Sequence, residues 1–165
     1  MDDLSRRSGG RKAKSVVFTA EQIATRVASL GREITSAYPD GDLVLLGLLK
    51  GSFIFLADLV RAVERPLQVD FLVASSYGSG TVSSGNVRLL YDPATDLAGK
   101  HIVVVEDIID SGRTLTRLVE LLRARHPASL AICTLLDKQI APEPPAELRF
   151  VGFHAPPAFL VGYGL

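Results

Sequence analysis

Three stretches of this chain are continuously apolar, and apolar residues recur at helical spacing between them. Leu43–Leu49 (LVLLGLL), Ile102–Val105 (IVVV) and Ser129–Leu136 (SLAICTLL) are short, rich in leucine or β-branched residues and bounded by turn residues. That is the mark of strands buried on both faces of a parallel sheet. Leu67–Ser75 adds a third strand in chain order, and Val87–Tyr91 resumes one after a break. Ser15–Phe18 is expected as a short edge strand, with Phe150–His154 and Phe159–Gly164 as two last strands around Pro156-Pro157. Ile23, Val27, Leu30 and Ile34 make the buried stripe of a first helix. Thr19 and Gln22 are spaced as a capping box, Phe18 and Ile23 as a hydrophobic staple, and Pro39-Asp40-Gly41 ends the helix. A second helix is expected over Phe53–Glu64, stopped by Pro66, and a third carries Leu115, Leu118, Val119 and Leu122 on one face. Strand and helix alternating in this way predict an α/β fold, a central parallel sheet with helices on both faces. The chain's 165 residues suffice for a single domain, expected over 15–165 behind a basic tail at 1–14.

The chemistry-bearing residues fall where such strands end. Ile102–Val105 runs into Glu106 and Asp107, then Asp110, and then the small-residue turn Ser111-Gly112-Arg113-Thr114 that opens a helix. The amides of such a turn, with the positive end of a helix dipole, suit an anion such as phosphate. Three carboxylates beside a phosphate cradle would repel a bare phosphate. They make sense if the ligand also brings hydroxyls, a Mg²⁺ ion or a proton to be taken. Lys50-Gly51 follows the second strand and Lys138 ends a later one, so both should face the same crevice at the carboxyl edge of the sheet. Singly, each has a plainer account: a solvated lysine, a helix cap, a strand end. Ser76–Asn86 has eight Gly, Ser or Thr residues in eleven, too many to pack a core, and should be a loop topping a long hairpin.

Composition narrows the classes. Formal net charge is zero and the pI is near 6.8, so nothing favours a polyanion partner. Arg6, Arg7, Arg11, Lys12 and Lys14 form a terminal charge run whose ordinary role is solvation. The single cysteine, Cys133, excludes an internal disulfide and fits a reducing compartment. No apolar stretch is long enough for a membrane span and no signal-peptide core stands out, so a cytoplasmic protein is expected.

Val104-Val105-Glu106-Asp107-Ile108-Ile109-Asp110-Ser111-Gly112-Arg113-Thr114 resembles the phosphoribosyl-pyrophosphate (PRPP) motif of the phosphoribosyltransferases, and its wording is similar to that of the hypoxanthine-guanine branch. The resemblance extends over roughly Val17 to Leu165. It implies a PRPP-binding core with a small hood built from about 15–18 and 139–165. It implies Mg²⁺-dependent transfer of 5-phosphoribosyl to a 6-oxopurine, with Glu106 and Asp107 holding the ribose hydroxyls and the metal, mainly through water. Asp110 would manage the base proton, and Asp110, Ser111, Gly112, Arg113 and Thr114 would hold the 5′-phosphate. Lys50 and Gly51 would receive pyrophosphate, the peptide before Lys50 being cis. Ser76 and Tyr77 would belong to a lid, Lys138 would contact the purine oxygen, Phe150 would stack on the base, and the backbone of Val151 would meet its edge. Small-molecule substrates and a homo-oligomer, dimer or tetramer, are implied, with no nucleic-acid or membrane partner. Two departures stand out: Pro157 occupies a position where the family carries an acid for a second Mg²⁺, and the residues that finish the hood do not follow Leu165. A xanthine-preferring enzyme and a PRPP-sensing regulator on the same fold are the competing readings. The regulator would leave the Lys138–Phe150 pocket idle.

Overall fold

The computed structural model describes residues 15–76, 87–141 and 143–165, apart from the side chains of 75, 76, 87 and 88. In chain order the elements are α1 (Ala20–Ala37), β1 (Leu43–Leu48), α2 (Phe53–Ala62), β2 (Gln68–Ser76), β3 (Val87–Tyr91), β4 (His101–Ile109), α3 (Arg113–Arg123), β5 (Ser129–Asp137) and β6 (Leu148–His154). Among the described residues the strands form one sheet in the order β3-β2-β1-β4-β5-β6. Every neighbouring pair is parallel except the β2–β3 hairpin. The chain leaves β1 for β2 on one side and returns to β4 on the other. The sheet therefore has its topological switch between β1 and β4, where ligands of open α/β sheets bind.

Alternate residues of the central strands serve two cores. Val103 and Val105 pack with Leu43 and Leu45 under α1 and α2, while Ile102 and Val104 pack with Val44 and Leu46 under α3. Leu115, Leu118, Val119 and Leu122 are all buried, as their spacing predicts. Thr19 closes its capping box: its Oγ1 accepts from the Gln22 amide at 3.2 Å, and Gln22 Oε1 accepts from the Thr19 amide at 2.8 Å. Helices α1 and α2 touch backbone to backbone at Gly31, where a Cβ would lie 2.2 Å from the carbonyl oxygen of Ala62.

Three expectations need correction. Ser15–Phe18 forms no strand. Phe18 instead stacks on Phe153 of β6, ring centroids 4.3 Å apart. The Val151 and Gly152 carbonyls, for which an added strand would compete, are taken by the Arg26 guanidinium at 2.6 and 2.9 Å. Phe159–Gly164 is likewise no strand, because Gly162, Tyr163 and Gly164 have φ of 105°, 56° and 100°, which no strand accommodates. And β4 does not stop at Val105; it pairs with β5 as far as Ile109↔Asp137, so Glu106 and Asp107 lie within the strand.

Gly31→Ala sets two effects against each other. Alanine improves helix propensity by about 1 kcal/mol, but the added methyl meets a backbone carbonyl that cannot swing aside, and overpacking of this kind costs about 1–3 kcal/mol. Urea unfolding is expected to show a net loss of stability. A stabilised variant would mean that α1 and α2 are free to separate.

Candidate functional site

The carboxyl ends of β1 and β4 stand side by side, since their register runs from Leu43↔His101 to Gly47↔Val105 without a break. Beyond β1 the chain turns through Lys50-Gly51-Ser52, and the Leu49–Lys50 peptide is cis. The buried Ser52 hydroxyl donates to the Leu48 carbonyl at 2.7 Å, and the Phe53 amide donates to the Lys50 carbonyl at 3.2 Å, closing the loop onto the first turn of α2. Lys50 is exposed at its tip. Gly51 is pressed against β4: a Cβ there would lie 1.8 Å from Asp107 Oδ2. This is the contact that joins the two loops.

Asp107 is buried, and its Oδ1 accepts from the Ile108 amide at 2.8 Å. Glu106 Oε2 is buried with no hydrogen-bond partner. Burial, and after it the adjacent Asp107 carboxyl, push the Glu106 carboxyl up to about 9. Two neighbouring carboxyls, one with an oxygen left without a partner, are hard oxygen donors of the kind Mg²⁺ takes. Magnesium is commonly held by one or two carboxylates together with water and substrate oxygens. Among the described residues no group of three or more His, Cys, Asp or Glu forms an all-protein cage, so such an ion would need the substrate to complete its shell.

Past Ile109 the chain forms the anion loop. Gly112 takes the left-handed conformation, φ 71°, at the N-cap of α3, and no side chain caps the helix there. Its carbonyl accepts from the Thr116 amide at 2.9 Å, which starts the helix. Ser111 and Arg113 are exposed and Thr114 is half-buried. The first amides of α3 and the Ser111 and Thr114 hydroxyls therefore belong to one short turn suited to a phosphate.

The β5 end supplies the cation. The Lys138 amide donates to the Ile109 carbonyl at 3.1 Å, tying this turn to β4. Asp137 Oδ1 accepts from the Gln139 amide at 2.8 Å. Lys138 Nζ then stands 3.6 Å from Asp110 Oδ2; the lysine side chain is 16% exposed and the aspartate 60%. Glu106, Asp107, Asp110 and the Ser111–Thr114 turn are thus continuous along one crest, with Gly51 and Lys138 in contact with it.

Phe150 and Val151 are not part of this group. Phe150 is 4% exposed and lies opposite Cys133 in the register, its ring 6.4 Å from that of Tyr38 and 5.3 Å from the Arg149 guanidinium. Its level on β6 is four residues, about 13 Å, below His154, which pairs with Asp137 at the crest. The Val151 carbonyl is occupied by Arg26. Phe150 is thus a core residue, and the Val151 carbonyl expected to meet a base edge is engaged by Arg26. The aromatic that sequence reasoning passed over is Phe159, 79% exposed. It lies on the segment that leaves the crest where the Ala155 amide donates to the Asp137 carbonyl at 2.8 Å and that reaches Gly51 at Gly164. The available signal was its place after Pro156-Pro157, beyond the last strand's carboxyl end. Pro157 is exposed on the same segment. Ser76 closes β2, and Tyr77 with the rest of the expected lid lies outside the described residues.

The chain is similar to known proteins over most of its length. The family described as phosphoribosyl transferase domain has a sequence model that matches residues 16–165. Hypoxanthine phosphoribosyltransferase of Salmonella typhimurium is 51% identical over 152 residues, covering 91% of this chain and 85% of its own length. Hypoxanthine-guanine phosphoribosyltransferase of Mycobacterium avium is 49% identical over 158 residues, covering 92% and 78%. A crystal structure of hypoxanthine phosphoribosyltransferase from Staphylococcus aureus matches with a TM-score of 0.87 at 39% identity, over 92% of this chain and 83% of that one.

Glu106 gives the site a pH signature. Its carboxyl titrates near 9 in the folded protein, against an ordinary value of 4.5. Between those values the folded chain keeps a proton that the unfolded chain has released, so stability falls as pH rises through that window. In the ligand-free, metal-free protein, Glu106→Gln is expected to flatten the Tm profile between about pH 5 and 9 and to be the more stable form at the alkaline end. Parallel profiles would show that Glu106 titrates as an ordinary carboxylate.

Proposed function

The chain belongs to the phosphoribosyl transferase domain family, and from that premise we propose that it moves 5-phosphoribosyl from PRPP to N9 of hypoxanthine or guanine, releasing pyrophosphate. The observation that carries this reading is the meeting, at one switch point, of the Lys50-Gly51 loop, the Glu106–Asp107 pair, the anion turn and the Asp110–Lys138 pair. PRPP needs two anion sites separated by a diol, and the crest offers that order. The amides of Asp110–Thr114 with the Ser111 and Thr114 hydroxyls take the 5′-phosphate. Glu106 and Asp107 take the ribose hydroxyls, and Lys50-Gly51 takes pyrophosphate.

In the reaction the C1′–oxygen bond to pyrophosphate breaks while the purine N9 closes on C1′, and the base gives up a proton. Asp110 accepts that proton, and Lys138 donates to the purine 6-oxygen, its ammonium carrying donors only. Phe159, exposed at the crest, supplies the apolar face on which the base rests. Mg²⁺ is the cofactor this reading implies; Glu106 and Asp107 would hold it, mainly through water, and it would supply positive charge to the pyrophosphate half of the site. With this function goes the reading of a cytoplasmic homo-oligomer. The half-exposed Phe53 and Leu90 support burial against another subunit. No helix among the described residues is long and apolar enough to cross a membrane.

A single set of assays tests this. Protein, Mg²⁺ and PRPP are incubated with hypoxanthine, guanine or adenine, and mononucleotide is measured. Adenine would set an amino donor against the Lys138 ammonium, leaving both unpaired, and sites built on such pairing reject the wrong partner by about 10⁴-fold. Mononucleotide is expected from the two 6-oxopurines only. Asp110→Asn should lower kcat by about 10²–10⁴ with the PRPP requirement little changed, the usual worth of general acid–base catalysis. Adenine used as readily as hypoxanthine, or an Asp110→Asn enzyme altered only in KM, would contradict the reading.

A further inference from the structure

The described residues after Ala155 form no strand, yet they end in a tightly specified turn on the far side of the crest. Gly162, Tyr163 and Gly164 are successively left-handed, and the Leu165 amide donates to the Gly162 carbonyl at 3.2 Å. Positive φ suits glycine at the first and third of these. It is disfavoured for a tyrosine and persists where surrounding contacts over-determine it. The contacts are visible. The Tyr163 hydroxyl donates to Asp58 Oδ2 on α2, and the ring packs against the core below α1 and α2. Asp58 Oδ1 is in turn engaged by Arg61. Burial and the Asp58 carboxylate push the phenol's titration up, so it stays a donor throughout the neutral range.

What this turn touches gives it meaning. A Cβ on Gly164 would lie 2.7 Å from the Gly51 carbonyl oxygen and 3.3 Å from Ile54 Cγ1, so the turn sits directly on the loop after β1. Gly51 is itself seated against Asp107 Oδ2. Tyr163, Gly164, Gly51 and Asp107 thus form one stack running from α2 across the loop to β4. A segment serving only to cover the core would need none of this contact with backbone beside Lys50.

We propose that Tyr163 is a positioning residue for the pyrophosphate half of the site: its hydroxyl, held by Asp58, seats the Gly162–Leu165 turn on the Gly51 carbonyl and fixes the Lys50-Gly51 loop for the departing group. This rests on the function proposed above. Tyr163 itself touches no reacting atom. It acts through Gly164 and Gly51, which separates it from Phe159 on the same segment.

Steady-state kinetics with Mg²⁺, varying PRPP and hypoxanthine separately, test it. Tyr163→Phe, which removes one oxygen, is expected to raise KM for PRPP about tenfold while KM for hypoxanthine stays within about twofold. Asp58→Ala should reproduce that pattern, and Asp58→Asn, which keeps an acceptor oxygen, should recover most of the loss. The Tyr163→Phe/Asp58→Ala double variant should be no worse than the poorer single one. A lowered Tm with unchanged KM for PRPP, a rise confined to the hypoxanthine KM, or additive single effects would each overturn the proposal. Wild-type protein without PRPP-dependent turnover would instead overturn the function on which it rests, and the proposal with it.

Discussion

The space at position 51 constrains everything else at the site. Asp107 Oδ2 stands 1.8 Å from where a side chain at Gly51 would begin, so the loop after β1 and the acidic end of β4 occupy each other's van der Waals surface. The approach is a consequence of the sheet. β1 and β4 are parallel neighbours in an unbroken register, and both carry apolar residues on both faces, so their carboxyl ends are driven to the same height. Once β4 continues through Glu106 and Asp107, the carboxylates are delivered to the level of the loop with little freedom to move. A packed scaffold of this kind holds groups that would otherwise repel a phosphorylated ligand within reach of the groups that attract it.

The electrostatics follow from that confinement. Glu106 Oε2 is buried without a partner, and the carboxyl's affinity for its proton is raised by burial and by Asp107. At the other end of the crest Asp110 is the exposed acid, and the Lys138 ammonium lies 3.6 Å away. Acids differing this much in environment suit different tasks, and the proposed reading gives the buried pair the hydroxyls and cation and the exposed acid the proton. A buried oxygen without a partner costs stability, and in the proposed reading a ligand would supply what is missing. That is a recurrent place for stability to be given up for function.

Much of this was legible in the sequence, for physical reasons that also mark where legibility ended. The stripe of Leu115, Leu118, Val119 and Leu122 and the Thr19–Gln22 capping box are local patterns, and each forms as its spacing predicts. Gly112 in a small-residue turn ahead of a helix is likewise local. Ser15–Phe18 misled because β-branched residues mark a strand only where a partner has free backbone groups, and Arg26 had taken the carbonyls of β6. The Gly162–Gly164 turn was hidden because a central tyrosine gives no hint of positive φ. Phe150 and Phe159 illustrate a deeper limit. Both are aromatics followed by aliphatics near the end of the chain, but Phe150 lies within β6, opposite Cys133 and buried, whereas Phe159 lies beyond the strand's end and is exposed. Height along a strand is a tertiary quantity, set by pairing between distant segments and absent from any local period.

The central claim is that Gly51 must be bare for Asp107 and the Lys50 loop to share one ligand. Gly51→Ala tests it most directly, with PRPP affinity measured by titration calorimetry in the presence of Mg²⁺ on protein whose circular dichroism matches wild type. A displacement of the order of an ångström between binding groups is worth about 10²-fold, and a loss of PRPP affinity of at least that size is expected. A folded Gly51→Ala protein that binds PRPP as tightly as wild type would contradict the account.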